Sequence, residues 1–415
     1  MDSVTRRRFL TLTGVAGAGA LAAGATRVDW GTLMTAASDT PLDPGAGVLV
    51  VVTLYGGNDG LNTVVPAGDA VYQDLRSDLA YRPEEVLDLG EGLGLNPGMT
   101  GFKGLWDQRR LAVVRGVGYP EPDRSHFRSM AIWQTATPGS ASTTGWLGRW
   151  LDTLDGDPLH ALSVEPVAPP LFAGEKGGAA SFPVNGLTLP GGNPGKAFKA
   201  LGHAQEGEDP WRARAAKAIA DLHRGVDTFA EPAAGEDRSA PEDEQSTKGA
   251  SAGGGSALGR QLAMVANLIE AGVPTRAYSV SLGGFDTHAD ERGTQQRLLT
   301  ELDGALTPFA DRMRGTDRGR NVVVLVYSEF GRRVRANAGQ GTDHGTAGPV
   351  FLLGEPVAGG FHGEQPGLAD LDGDDLKATT DFRDVYATLL GRVLAADPAR
   401  VLDGHRGNVD HLIRA

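Results

Sequence analysis

Cysteine is absent from the 415-residue chain. That excludes disulfides, thiolate metal sites and cysteine nucleophiles. Histidine is scarce at nine residues, so any place where histidines gather with acids is informative. Basic charge is short as well: 39 Lys and Arg against 52 Asp and Glu leave a net charge of −13. No basic face compensates, which argues against a nucleic-acid partner. No apolar run is long enough for a stable membrane span. Glycine, in contrast, is abundant at 60 residues and implies many tight turns and close backbone approaches. The 40% of hydrophobic residues is too many for a disordered chain and allows one large core or two moderate ones.

The N-terminus carries export chemistry. "TRRRFLTLTGVAGAGALAAGA" places Arg6 and Arg7 ahead of Phe9 and Leu10, then a weakly apolar Ala/Gly run ending in Ala23-Gly24-Ala25. This resembles a twin-arginine signal, so residues 1–25 are expected to be a signal peptide. The implied partner is the twin-arginine export machinery, and the implied location is the periplasm or cell exterior.

"GVLVVVTLYGGNDG" (Gly47 to Gly60) and "LAVVRGVGYP" (Leu111 to Pro120) are apolar, β-branched runs ending in Gly or Pro, the pattern of strands buried on both faces. A helix is expected to open after Ser125, a favoured N-cap. Leu151 to Ala200 is Pro/Gly-rich and expected to form an excursion or cap over the sheet. A helix is expected over Asp209 to Phe229. Residues 230–256 are acidic and end in Gly/Ser, as a disordered insertion would. A helix, the strand "TRAYSVSLGG", a helix over about Gln295 to Met313, the strand "NVVVLVYSEFG" and a strand over Pro349 to Leu353 complete the alternation. Asp381 is expected to cap a C-terminal helix. Strands alternating with helices predict an α/β fold with a mainly parallel sheet sandwiched by helices, a single domain over 45–415 interrupted by the insertion.

In open α/β sheets ligands sit beyond the carboxyl ends of the strands, and the metal-capable residues concentrate there. Asp59 closes the first strand, Asp286 and His288 another, Glu329 a third; Asp343 and His344 precede the next strand. Carboxylates and imidazoles without thiolates suit zinc, manganese or calcium, one ion or two. Each residue alone is equally at home as a turn or cap residue; their joint appearance at strand ends points to a divalent metal. Ser125 suits an N-cap or a nucleophile. His126 suits a ligand, an acid/base or the nucleophile. Arg124 and Arg128 flank them and are candidates to bind an anionic group, or are solvated helix-end residues.

Seven segments carry a family resemblance: "GGNDGLNTVVP" (Gly56 to Pro66), "GYPEPDRSHFRSMAIWQTA" (Gly118 to Ala136), "TGWLGR" (Thr144 to Arg149), "GGFDTHAD" (Gly283 to Asp290), "SEFGRRV" (Ser328 to Val334), "GTDHGTAGPVFLLG" (Gly341 to Gly354) and "TTDFRDVYATLLG" (Thr379 to Gly391). With them the chain resembles the twin-arginine-exported domain-of-unknown-function family 1501, itself similar to the alkaline-phosphatase-like superfamily. The resemblance implies that fold and often a two-metal site. Asp59 matches the superfamily's first aspartate. Asp286 and His288 match its Asp/His pair, at a spacing of two rather than four. Glu329 matches the aspartate of Ser-Asp-His-Gly, and His344 the late histidine. Phe330 stands where that motif has its histidine, and nine residues back from Thr135, the superfamily's nucleophile spacing, lies His126.

The function expected from this pattern is an exported, metal-dependent hydrolase of a phosphate or sulfate ester, an anionic small molecule. Asp343 would orient His344 or complete the coordination. The rival is a non-catalytic binding or assembly protein on the same scaffold, favoured by Phe330 and the altered spacing.

Overall fold

The computed structural model describes residues 26–165, 168–182 and 256–414. The expected signal peptide, the helix over Asp209 to Phe229 and nearly all of the acidic insertion lie outside them. Among the described residues ten strands form the central sheet and are numbered in chain order: β1 (Thr26–Arg27), β2 (Val48–Tyr55), β3 (Leu111–Gly118), β4 (Ala161–Ser163), β5 (Ala180–Ser181), β6 (Ala277–Gly283), β7 (Val322–Ser328), β8 (Gly348–Leu353), β9 (Gly360–His362) and β10 (Thr380–Asp381). Their spatial order is β1-β5-β4-β6-β2-β7-β8-β3-β9, with β10 also paired to β3. Only β8 runs antiparallel to its neighbours, β7 and β3. The fold is α/β with a mainly parallel sheet, as expected.

Strand β2 shows why the apolar runs read as they do. Side chains alternate across a strand, so a sheet covered on both faces needs apolar residues at every position. Val48, Val50, Val52 and Leu54 enter a core with the helices Ala257–Ala271 and Glu291–Arg314. Leu49 and Val51 enter a second core with the helices His126–Thr135, Trp146–Leu151 and Phe382–Arg392. Burying each such side chain contributes roughly 1.5–3 kcal/mol. The frame that holds the strand ends is therefore stiff.

Two expectations change in detail. The helix expected from Gln295 begins at Glu291 and runs through Pro308 to Arg314. Its first turn is polar at the sequence level, yet Glu291 and Gln295 are both buried beneath the loop after β2. The Gly/Pro-rich stretch after Leu151 does not simply cover the sheet, since β4 and β5 extend it beyond β6 by parallel pairing. Among the described residues no helix is long and apolar enough to cross a membrane.

Candidate metal centre

The ends of β2, β6 and β7 meet because glycine allows it. Gly56 and Gly57 both have positive φ (118° and 72°), which other residues adopt only with strain. A Cβ on Gly56 would collide with the Asp286 amide nitrogen, and one on Gly57 would overlap the Phe330 ring. The closeness lets the Gly56 N–H donate to Glu329 Oε1 at 3.0 Å. A hairpin of Arg332–Ala336 and Thr342–His344 sets Arg332 opposite His344.

Four side chains converge in this space. His126, in the first turn of its helix, places Nε2 3.3 Å from Asp286 Oδ1. His344 Nε2 lies 3.3 Å from the same oxygen, and His288 Nε2 3.0 Å from it. The Nε2 atoms of His288 and His344 are 2.9 Å apart. The second ring nitrogens decide the tautomers. His126 Nδ1 is 2.8 Å from Glu329 Oε1, which can only accept while ionised, and His344 Nδ1 is 2.7 Å from the Arg124 carbonyl, which can only accept. Both Nδ1 atoms therefore carry a proton, which leaves each Nε2, facing Asp286, as the nitrogen that can ligate when the imidazole is neutral. His126 Nε2 is buried with no hydrogen-bond partner.

Arg332 fixes the charge of Asp286. Its buried guanidinium donates to the carbonyls of Gly57 (2.7 Å), Thr342 (2.9 Å), Phe285 (3.0 Å) and Gly56, and to Asp286 Oδ1 (2.8 Å). Burial pushes the Asp286 carboxyl upward, but the hydrogen bond and charge of Arg332, with His126 and His288, outweigh it and hold the group at about 2. Burial lowers the His344 pKa, and the nearby His126 and Arg332 charges act in the same sense. Both groups thus favour the states that ligate a metal: an ionised carboxylate and a neutral imidazole.

The remaining expected residues take other positions. Glu329 is fully buried behind His126; its Oε1 serves His126 and Gly56, and its Oε2 accepts from the Ser328 hydroxyl at 2.9 Å. Asp59 is not brought to the cluster: Arg76 donates to both of its oxygens, and the Leu61 N–H to one. Asp343 faces His288 Nδ1 at 3.5 Å rather than His344, consistent with neighbouring residues of a strand pointing to opposite sides. Ser125 holds the N-cap position, but its hydroxyl makes no capping bond and is exposed. Arg124 pairs with the buried Asp375. Arg128 is exposed on the first helical turn. The Phe330 ring packs on His126 and His344 at centroid distances of 4.8 and 4.9 Å, walling the cleft.

Three residues of this region are not among the site candidates read from the sequence: Arg332, which lies inside the segment Ser328 to Val334 without an assigned role, Arg76 and Glu291. Glu291 is buried beside Asp59 and accepts from Thr342 Oγ1 at 2.6 Å. Burial and the Asp59 charge push its carboxyl up to about 9. Asp59, despite its own burial, is held low by the Arg76 charge and a hydrogen bond from Glu291. Their partners are distant in sequence, which is why arginines in a polar run read as surface residues.

His126, Asp286 and His344 each offer one donor atom, all within 4.8 Å of one another. Two imidazole nitrogens and one carboxylate oxygen, with a third imidazole adjacent, fit a borderline divalent cation such as zinc or manganese. Such a cation would satisfy the orphaned Nε2 of His126.

No curated protein matches the sequence. Several solved structures are similar at low identity. The C-terminal periplasmic domain of EcEptC from Escherichia coli, a complex with Zn, has a TM-score of 0.36 at 10% identity, covering 75% of this chain and 74% of its own. A protein in the alkaline phosphatase superfamily from Vibrio parahaemolyticus has a TM-score of 0.37 at 10% identity, covering 91% and 78%. The phosphonate monoester hydrolase of Agrobacterium radiobacter has a TM-score of 0.35 at 11% identity, covering 87% and 78%. A family model described as a protein of unknown function, DUF1501, matches residues 112–413, and the chain belongs to that family.

Proposed function

We propose that the protein is an exported, metal-dependent hydrolase of a phosphate or sulfate ester. The observation that carries this reading is the convergence of His126 Nε2, His344 Nε2 and the ionised Asp286 Oδ1 on one point, with both histidines fixed in the ligating tautomer. Export rests on the twin-arginine-like segment at residues 5–25.

His126, Asp286 and His344 would hold one ion, with Glu329 orienting His126 as a carboxylate commonly does for a ligating imidazole. A bound divalent ion supplies Lewis acidity toward the ester oxygens and acidifies water. His288 is half-exposed at the mouth, with Asp343 at its Nδ1; once an ion engaged the His344 Nε2 and Asp286 Oδ1 that its Nε2 faces, that nitrogen would be released to act as the proton acceptor we assign. Water attacks phosphorus or sulfur and its proton passes to His288 Nε2. The ester P–O or S–O bond breaks, and the departing alkoxide takes a proton from solvent. Arg128, on the open end of the His126–Thr135 helix, would hold the anionic head together with the helix N-terminus. Ser125 stands beside it with a free hydroxyl and is the alternative nucleophile.

One observation favours the rival reading: Phe330 fills the position beside His126 and His344 with an apolar ring. A non-catalytic protein would then keep the metal for structure. Hydrolysis of 4-nitrophenyl phosphate and 4-nitrophenyl sulfate by zinc- or manganese-loaded protein decides between them. Metal-dependent turnover lost in His288→Ala supports the hydrolase; a metal-loaded protein that cleaves neither ester supports the rival.

A further inference from the structure

His344 has an acceptor at each ring nitrogen. The Arg124 carbonyl lies 2.7 Å from Nδ1, and the Asp286 Oδ1 3.3 Å from Nε2. A carboxylate is the stronger acceptor of the two. Were the carbonyl to drift, the ring proton would pass to Nε2 and point at Asp286, and a protonated Nε2 cannot ligate. The placing of one backbone carbonyl therefore decides whether His344 is competent.

That carbonyl stands in residues 122–125, which are neither helix nor strand, so no ladder of backbone bonds holds it. Its neighbour Asp123 is held by the Tyr119 hydroxyl, which accepts from the Asp123 N–H at 3.0 Å. Arg124 itself is held through its side chain, which donates to Oδ2 of Asp375. The Asp375 side chain is only 1% exposed, whereas that of Arg124 is half-exposed. A buried carboxylate is costly unless it is paired, so the ion pair is fixed from the Asp375 side.

Asp375 is anchored in turn to the segment that carries His344. It sits on a short hairpin, Leu371–Asp372 against Asp375–Leu376. The Val334 N–H donates to the Asp374 carbonyl at 3.0 Å, and the Thr346 hydroxyl donates to the Leu376 carbonyl. Arg333 Nε lies 3.8 Å from Asp375 Oδ1. A closed ring results, running from His344 through Thr346 and the hairpin to Asp375, then across the ion pair to Arg124 and back to His344 Nδ1.

We infer that Asp375 is a positioning residue of the candidate centre, which acts through Arg124 to keep the His344 proton on Nδ1 and its Nε2 free to ligate. This rests on the reading of His344 as a ligand for its consequence, though the tautomer itself does not need a metal.

The test is a long-range proton–nitrogen NMR spectrum of the metal-free full chain labelled with 15N-histidine, at about pH 8, where imidazoles are neutral. Nine histidines keep it readable, and the His344 signal is identified by its absence from His344→Gln. The native protein is expected to show the Nδ1–H form. Asp375→Asn and Arg124→Met are expected to turn His344 predominantly to Nε2–H, and to weaken zinc binding about tenfold. Arg124→Lys, which keeps a cation for Asp375, is expected to retain the native form. A merely structural role would lower the melting temperature and leave the tautomer alone. If Asp375→Asn does not fold, Arg124→Met decides, since that side chain is half-exposed. An unchanged His344 tautomer in a folded variant overturns the inference even where zinc still binds. A tautomer that shifts in a protein taking up no zinc supports the positioning role and sinks the metal reading alone.

Discussion

Arg332 and Asp286 are joined by a 2.8 Å hydrogen bond in which the guanidinium is wholly buried and the carboxylate is half-exposed. The same guanidinium ties down carbonyls from three segments, so one side chain sets both the charge of Asp286 and the relative position of the strand ends. Lysine has three donors in a different geometry and cannot replace the fork. Arg332→Lys is expected to lower stability by about 2–3 kcal/mol through unsatisfied buried acceptors, and to raise the Asp286 pKa from its low value. Urea denaturation and a carboxylate-resolved NMR titration read the two effects separately.

Glu329 acts on the candidate centre through His126. In Glu329→Gln the carboxamide can turn only one oxygen to two donors that both need it, and its NH2 would face either the Gly56 N–H and His126 Nδ1–H or the Ser328 hydroxyl. Metal affinity is expected to fall about 10- to 100-fold with little loss of fold. Competition with a chromophoric zinc chelator measures it.

Asp59 and Arg76 form a fully buried ion pair close to the cluster but not part of it. Removing one partner strands a charge, so Arg76→Met is expected to cost about 3–5 kcal/mol, while Arg76→Met/Asp59→Leu recovers much of that loss. A double-mutant cycle by chemical denaturation gives the coupling. An Asp59→Leu variant that kept stability but lost metal would instead restore Asp59 to the site.

The strand ends were legible because a parallel sheet must be apolar on both faces, so Val48–Tyr55 and Val322–Ser328 stand out, and the residues just beyond them must be polar and crowded. Asp286 and His288 follow β6, whereas His344, expected in a loop before the next strand, ends the Thr342–His344 strand of a separate hairpin. The interior arginines were not legible: the Asp59 partner is 17 residues away and the Asp286 partner 46, and only tertiary packing reveals which of 39 basic side chains are buried. The tautomers of His126 and His344 were equally out of reach, since they depend on a glutamate and a backbone carbonyl more than 200 residues distant.

Glu291 gives the fold a pH dependence. Its carboxyl sits at about 9 in the folded protein against an ordinary 4.5, so the folded state holds this proton more tightly than the unfolded chain. The stabilisation is full below pH 4.5 and is lost as pH rises through about 9. Asp59 has the opposite sense, its contribution being lost only as pH falls below its ordinary 3.8. The melting temperature is therefore expected to decline between about pH 5 and 9, and Glu291→Gln to flatten that decline. Calorimetric scans across the range check it; identical slopes in the two proteins would show that Glu291 is ionised when folded.

The hydrolase reading stands on His126, Asp286 and His344 holding one divalent ion. Elemental analysis of the folded protein beside His126→Ala and Asp286→Ala tests it, with circular dichroism to establish that each variant is folded. Close to one zinc or manganese per chain is expected, lost from both folded variants. Absence of bound metal after incubation with each ion, or metal retained in both variants, would contradict it.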